Sequence, residues 1–87
     1  MNKESTNAPE SDITLDQIKP GTTVKVAHIR GKGAARRRIL DMGIVPGAEV
    51  KVIRKAPMGD PIEFEVKGYN LSMRKTEAAL VIVRILE

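Results

Sequence analysis

The 87-residue chain has no cysteine and no tryptophan, a single histidine (His28) and two aromatic residues, Phe64 and Tyr69. Without cysteine there is no disulfide, no thiolate-held zinc or iron–sulfur cluster and no thiol nucleophile. One imidazole leaves little room for a histidine metal site, and no Ser/His/Asp set can be assembled around it with any assurance. Two aromatics are too few for the stacking platforms of single-strand nucleic-acid binders or for the aromatic-lined groove that takes proline-rich peptides. Long apolar runs are missing as well. The longest concentration, residues 78–86, is too short to span a bilayer and is broken by Arg84. The polar N-terminus lacks the apolar segment of a signal peptide. One small cytosolic domain is the expectation, with no transmembrane segment.

Charge is present in quantity but unevenly placed. Residues 1–12 carry Lys3 against Glu4, Glu10 and Asp12, whereas the remainder holds 14 basic and 8 acidic residues, a net of +6. Such a basic body attracts phosphates, anionic headgroups or acidic protein surfaces. The first twelve residues are rich in Ser, Asn, Thr, Glu and Pro without apolar periodicity, so residues 1–12 are expected to be a disordered tail and 13–87 the folded domain.

Order is expected from Thr14-Leu15-Asp16-Gln17, which has capping-box spacing and precedes a tight turn at Pro20-Gly21. Thr23 to Val26 alternates as a strand and extends to Ile29 with a phase slip at Ala27. After Gly31-Lys32-Gly33 the period changes. Ala34 to Met42 reads as a helix with Ala35, Ile39, Leu40 and Met42 on one stripe, ended by Gly43 in a left-handed conformation. Pro20-Gly21-Thr22-Thr23-Val24-Lys25-Val26 and Pro46-Gly47-Ala48-Glu49-Val50-Lys51-Val52 share the pattern Pro-Gly-x-x-Val-Lys-Val, one turn-into-strand solution used twice. Ile62 to Val66 alternates cleanly, with Ile62, Phe64 and Val66 inward. Gly68 turns it into a partner strand with Tyr69, Leu71 and Met73 inward. A helical turn over residues 75–79 and a closing strand from Leu80 to Leu86 complete the order. About five short strands with one short helix after the first favour a mainly β fold, a small barrel.

Two features stand out as candidate binding elements. Ala56-Pro57-Met58-Gly59-Asp60-Pro61 joins two strand-like runs. Pro57 and Pro61 fix φ, Gly59 admits a positive φ, and the large apolar Met58 sits mid-loop. Met58 is either a lid folded back on the core or a docking knob carried by Pro57, Gly59 and Asp60. Arg36, Arg37 and Arg38 are consecutive on the helix, about 100° apart, so two at most share a face. They are either a solvated face, with Asp41 spaced to pair with Arg37 or Arg38, or a basic contact for an acidic partner. Gly31-Lys32-Gly33 is a strand-to-helix connection that could in principle hold a phosphate. Glu63 and Glu65 share an exposed strand face and could in principle chelate a divalent ion, although carboxylates two apart are ordinary on solvated strands. No Gly-x-x-x-x-Gly-Lys-Ser/Thr phosphate loop occurs, and the chain is expected not to be an enzyme and to need no cofactor.

The segment from Leu15 to Val83 resembles the FeoA family, the small cytosolic component of bacterial ferrous-iron uptake. The resemblance rests on Leu15 through Pro20-Gly21, on Gly33 with Arg37-Arg38-Ile39-Leu40-Asp41-Met42-Gly43-Ile44-Val45-Pro46-Gly47, on Ala56 to Ile62, and on Leu71 to Ala78, in the family's order. It implies an SH3-like β-barrel, similar also to the C-terminal domain of iron-dependent repressors. It further implies an accessory protein, monomeric or weakly self-associating, that docks on the FeoB transporter at the inner face of the membrane and modulates Fe(II) transport or its GTPase cycle. Two other classes compete with this expectation: a nucleic-acid-binding barrel, favoured by the basic body and disfavoured by scarce aromatics, and a metal-responsive regulatory domain.

Overall fold

The computed structural model describes residues 12–86. Its elements in chain order are β1 (Ile13–Thr14), a 3-10 turn (Leu15–Gln17), β2 (Thr23–Ile29), α1 (Gly33–Asp41), β3 (Glu49–Lys55), β4 (Ile62–Val66), β5 (Tyr69–Met73), α2 (Lys75–Ala78) and β6 (Val81–Ile85). The strands form one antiparallel sheet in the order β1-β6-β2-β3-β4-β5. The mainly β expectation holds, with a sixth strand added. β1 pairs Ile13 with Val83 and Thr14 with Ile82, and two residues are too few to show an alternation in sequence. Asp12, counted with the tail, has its carboxylate on Arg30; the rest of the expected tail lies outside the described residues.

Pro20-Gly21 and Pro46-Gly47 occupy the centres of two turns, closed by Thr22 N–H to the Lys19 carbonyl (3.2 Å) and Ala48 N–H to the Val45 carbonyl (2.9 Å). Both glycines have positive φ, +91° and +93°, as position i+2 of a type II turn requires. Each glycine then donates across the sheet to the other copy of the motif. Gly21 N–H reaches the Val52 carbonyl (2.7 Å) and Gly47 N–H the Val26 carbonyl (2.8 Å), while Val52 and Val26 donate back to Thr22 (3.0 Å) and Ala48 (2.8 Å). Two residues thus oppose one at each end, the geometry of a bulge that opens on a left-handed glycine. Val24 pairs directly with Val50, the equivalent residue of the second motif. The seven-residue echo is therefore a local twofold about the β2–β3 ribbon. Each strand slips register one step beyond its last motif valine, between Val26 and His28 and between Val52 and Arg54. The first slip is the one expected at Ala27. The second, at Ile53, has no counterpart in the sequence expectations.

Inner-face side chains from β2 to β6 meet Leu15 of the 3-10 turn, Ile39, Ile44 and Ala78 in one core centred on the fully buried Phe64. β4 keeps the strict alternation, with Ile62, Phe64 and Val66 buried. The hairpin from β4 to β5 turns at Lys67 and Gly68, φ +53° and +84°, in the manner of a type I′ turn. Tyr69 departs from expectation. It is 71% exposed although it stands on the inner-facing row with Val66, because β5 is the sheet's edge and Tyr69 its first residue.

α1 starts and ends one residue earlier than expected, with Met42 as its cap and Gly43 left-handed as expected. Gly43, φ +90°, donates to the Leu40 carbonyl (2.9 Å) and Ile44 to the Ile39 carbonyl (3.4 Å), a Schellman ending in which buried Ile44 and Ile39 supply the accompanying apolar contact. The expected stripe is narrower than its spacing suggested. Ile39 is buried, Leu40 and Met42 are half-buried, and Ala35 is exposed with every other residue from Gly33 to Arg38, so the first turns of the helix stand clear of the core.

No heavy atom lies within 4 Å of a Cβ built on Gly21 or Gly47, so an alanine there meets conformational cost alone. Gly21→Ala and Gly47→Ala should each destabilise by about 1–2 kcal/mol, lowering Tm by roughly 4–8 °C per kcal/mol for a domain of this size. Thermal unfolding by circular dichroism would check both, and the double variant should be worse than either alone.

Candidate functional site

The β3–β4 tip is held by backbone and side-chain bonds at every level. At its base the Lys55 Nζ donates to the Asp16 carbonyl (2.9 Å). Ala56 N–H donates to the Pro61 carbonyl (3.0 Å) and closes the loop, and Gly59 N–H donates to the Ala56 carbonyl (2.7 Å) and makes the turn. Pro57 therefore sits at i+1, where its fixed φ suits the turn, and Gly59 takes φ +85°. The Asp60–Pro61 peptide is cis. Met58 lies at the apex and is 90% exposed, so it is not folded back on the core as a lid. Pro57 and Asp60 are exposed beside it.

Arg36, Arg37 and Arg38 are all exposed on α1. The expected pairing of Asp41 with Arg37 or Arg38 does not form; Arg38 Nε instead meets Glu77 Oε2 of α2 at 3.1 Å. A helix-surface pair one turn apart gains only a few tenths of a kcal/mol. Glu77 offers more, because its side chain is only 14% exposed and its other oxygen is already fixed by Arg74 N–H at 3.0 Å. Arg36 and Arg37 line a shallow groove with Gly33, Leu40 and Asp41 on the solvent side of the helix.

A third element connects these two: the helical turn expected over residues 75–79, whose contacts to both had no counterpart in the sequence expectations. The four-residue α2 is too short to be stable alone and takes its N-terminal acceptors from side chains: Glu77 Oε1 for Arg74 N–H, and Asp60 Oδ1 for Lys75 N–H at 2.9 Å. Asp60 comes from the tip, and Glu77 reaches the arginine helix. The tip and α1 are thus both tied to the N-terminal end of one helical turn. Arg74 is not a capping residue type, so the bond from its N–H to Glu77 was not marked in sequence. Nothing in sequence marks the Asp60–Lys75 or Arg38–Glu77 contacts, which span 15 and 39 residues.

The remaining candidates resolve simply. Gly31 packs under Leu80, whose Cδ1 would lie 3.3 Å from a Cβ at that position, and Arg30 N–H bonds the Leu80 carbonyl; this connection is a close-packed crossing. Glu63 pairs with Arg54 at 3.0 Å. His28 is exposed on β2. Among the described residues no three His, Asp or Glu side chains gather as metal ligands, and no helix is long and apolar enough to cross a membrane.

A family model described as the FeoA domain matches residues 13–85. The chain belongs to the FeoA family. A FeoA-like protein from Clostridium acetobutylicum, solved by NMR, is 45% identical with a TM-score of 0.82, covering 87% of this chain and 88% of that one. FeoA of Stenotrophomonas maltophilia, whose crystal structure is described as an SH3 domain protein complexed with zinc, is 29% identical with a TM-score of 0.72, over 82% and 88% of the two chains. The expected SH3-like character of the FeoA fold is thereby met. An Fe(2+) transport protein A/Fe(2+) transporter FeoB fusion protein of Porphyromonas gingivalis is 33% identical over 74 residues, which are 85% of this chain and 9% of that protein. A FeoA domain and a FeoB transporter thus share one polypeptide in a relative.

With Met58 90% exposed, Met58→Asp should leave the FeoA domain's stability within about 0.5 kcal/mol of wild type. Chemical denaturation would check this, and a large loss of stability would return Met58 to the core.

Proposed function

We propose that this FeoA-family chain is a non-enzymatic accessory module of ferrous-iron uptake. It works in the cytoplasm at the inner face of the membrane, where it docks as a monomer on FeoB and modulates Fe(II) transport or the GTPase cycle. The observation that carries this reading is the Met58 knob, a large apolar side chain kept in solvent by a loop bonded at its base, turn and flank. Ordering an exposed apolar side chain before binding removes an entropic cost that association would otherwise meet. Support for FeoB as the partner comes from the fusion in the P. gingivalis relative, where the two occur in one chain.

The mechanism follows the usual division of labour at interfaces. A central apolar anchor supplies most of the affinity, and surrounding charge governs encounter rate and orientation. Met58 is the anchor, held in place by the loop residues Pro57, Gly59 and Asp60. Arg36, Arg37 and Arg38 supply the steering charge, Arg38 with its orientation set by Glu77.

Binding to detergent-solubilised FeoB of the same organism, with and without a GTP analogue, tests this directly. Wild type should bind saturably, and Met58→Asp should weaken binding at least tenfold, about 1.4 kcal/mol, while remaining folded. Arg36→Glu/Arg37→Glu should slow association and flatten its salt dependence. No binding in any nucleotide state would refute docking on FeoB. Retention on DNA that falls steeply with salt would then favour the nucleic-acid alternative.

A further inference from the structure

Resting on the docking proposal above, we infer that α2 is a brace that holds the Met58 tip and the arginine helix as one surface. Asp60 and Glu77 are its positioning residues, and the matching partner is a protein face with an apolar socket rimmed by carboxylates. The brace is visible bond by bond. Asp60 Oδ1 of the tip accepts from Lys75 N–H of α2, and Glu77 Oε2 of α2 holds Arg38 of α1. Glu77 Oε1 meanwhile accepts from Arg74 N–H, so the same carboxylate that fixes Arg38 also starts the helix. Removing either acid frees one docking element from the other without touching Met58 or the arginines.

The charges between the two elements define the partner's chemistry. Arg74 and Lys75 are exposed beside the tip, and Arg74 lines a cleft with Asp60 and Pro61. Among the described residues, Arg36, Arg37, Arg74 and Lys75 enter no ion pair within 4.0 Å. Of the nearby acids, Asp60 faces a backbone N–H, Glu77 faces Arg38, and Asp41 lines the groove of Arg36 and Arg37 without an ion pair within 4.0 Å. The surface therefore offers one apolar projection together with more cations than acids, and its complement is an apolar hollow rimmed by carboxylates. A fixed spacing between knob and cations favours a protein over a lipid surface, because a bilayer imposes no spacing on what inserts in it.

The test is a mutant cycle on the full chain binding detergent-solubilised FeoB, with fold checked by circular dichroism. Asp60→Ala should weaken binding about as much as Met58→Ala, roughly tenfold, and Met58→Ala/Asp60→Ala should be no worse than either alone, because Asp60 acts through Met58. Asp60→Asn should bind within about twofold of wild type, since an amide oxygen still accepts from Lys75 N–H. If Asp60→Ala does not fold, Glu77→Gln carries the test. Its amide oxygen can still cap Arg74 N–H while the ion pair to Arg38 is lost, and it should weaken binding by about the same factor as Arg38→Ala, with no further loss in the double variant. Folded Asp60→Ala or Glu77→Gln at wild-type affinity, or losses that multiply, would overturn the brace while leaving docking intact. Absence of wild-type binding would overturn docking and the brace together. Binding to phosphatidylglycerol vesicles, lost in Met58→Ala, without binding to FeoB would overturn a protein partner in favour of a membrane.

Discussion

The reciprocal hydrogen bonds between Gly21 and Val52 and between Gly47 and Val26 fix the β2–β3 ribbon at both ends, and the candidate surface is built outward from that ribbon. Each end is a turn that delivers its glycine in the one conformation able to donate across the strand, and the two ends are related by a local twofold through Val24 and Val50. Beyond the ribbon both strands slip register and lead away: β2 through Arg30 into the arginine helix, β3 through Lys55 into the Met58 tip. The separation of the two elements is thus set by backbone geometry before any side chain of theirs makes a contact. α2 then completes a triangle by bonding to both.

Much of this was legible in the sequence where a local rule governs. The alternation of Ile62, Phe64 and Val66, the slip at Ala27, the left-handed Gly43 and the turn glycines follow from side-chain period and φ, which depend on immediate neighbours. The tip was legible for the same reason: two prolines and a glycine in six residues restrict a loop whatever surrounds it. What was hidden depends on tertiary placement. Whether Met58 points inward or outward is decided by what lies over the tip. Arg38 had a carboxylate at a helical spacing in Asp41, yet it chose Glu77, brought near by packing 39 residues away. Tyr69 obeyed the strand period and still ended in solvent, because its row runs out at the sheet edge. Ala35 failed similarly, on the part of α1 that overhangs the core.

Among the described residues the ionisable groups are spread along strands and helices and do not gather as a set of metal ligands. Their close contacts pair Arg30, Arg38 and Arg54 with carboxylates, cap the backbone N–H groups of Arg74 and Lys75, and set Lys55 on the Asp16 carbonyl. The most exposed large apolar side chain stands on a loop closed by two backbone bonds of its own and tied to α2 through Asp60. A flexible loop could have let Met58 fold onto the barrel, and a rigid loop without an apolar apex would have nothing to insert. Having both in one six-residue segment is what separates this tip from an ordinary hairpin turn.

The outer face of β2, β3 and β4 gives the molecule one further property. Lys25 stands opposite Glu49, Lys51 opposite Glu65 and Arg54 opposite Glu63, so this side of the sheet neutralises itself strand by strand. Lys32, Arg36, Arg37, Arg74 and Lys75 are left on or beside the two helices without such partners. Among the described residues, the domain therefore carries its excess of unpaired positive charge toward the helices. In the field of an anionic body it experiences a torque as well as an attraction, and it rotates while still diffusing, so that it arrives with its helices leading.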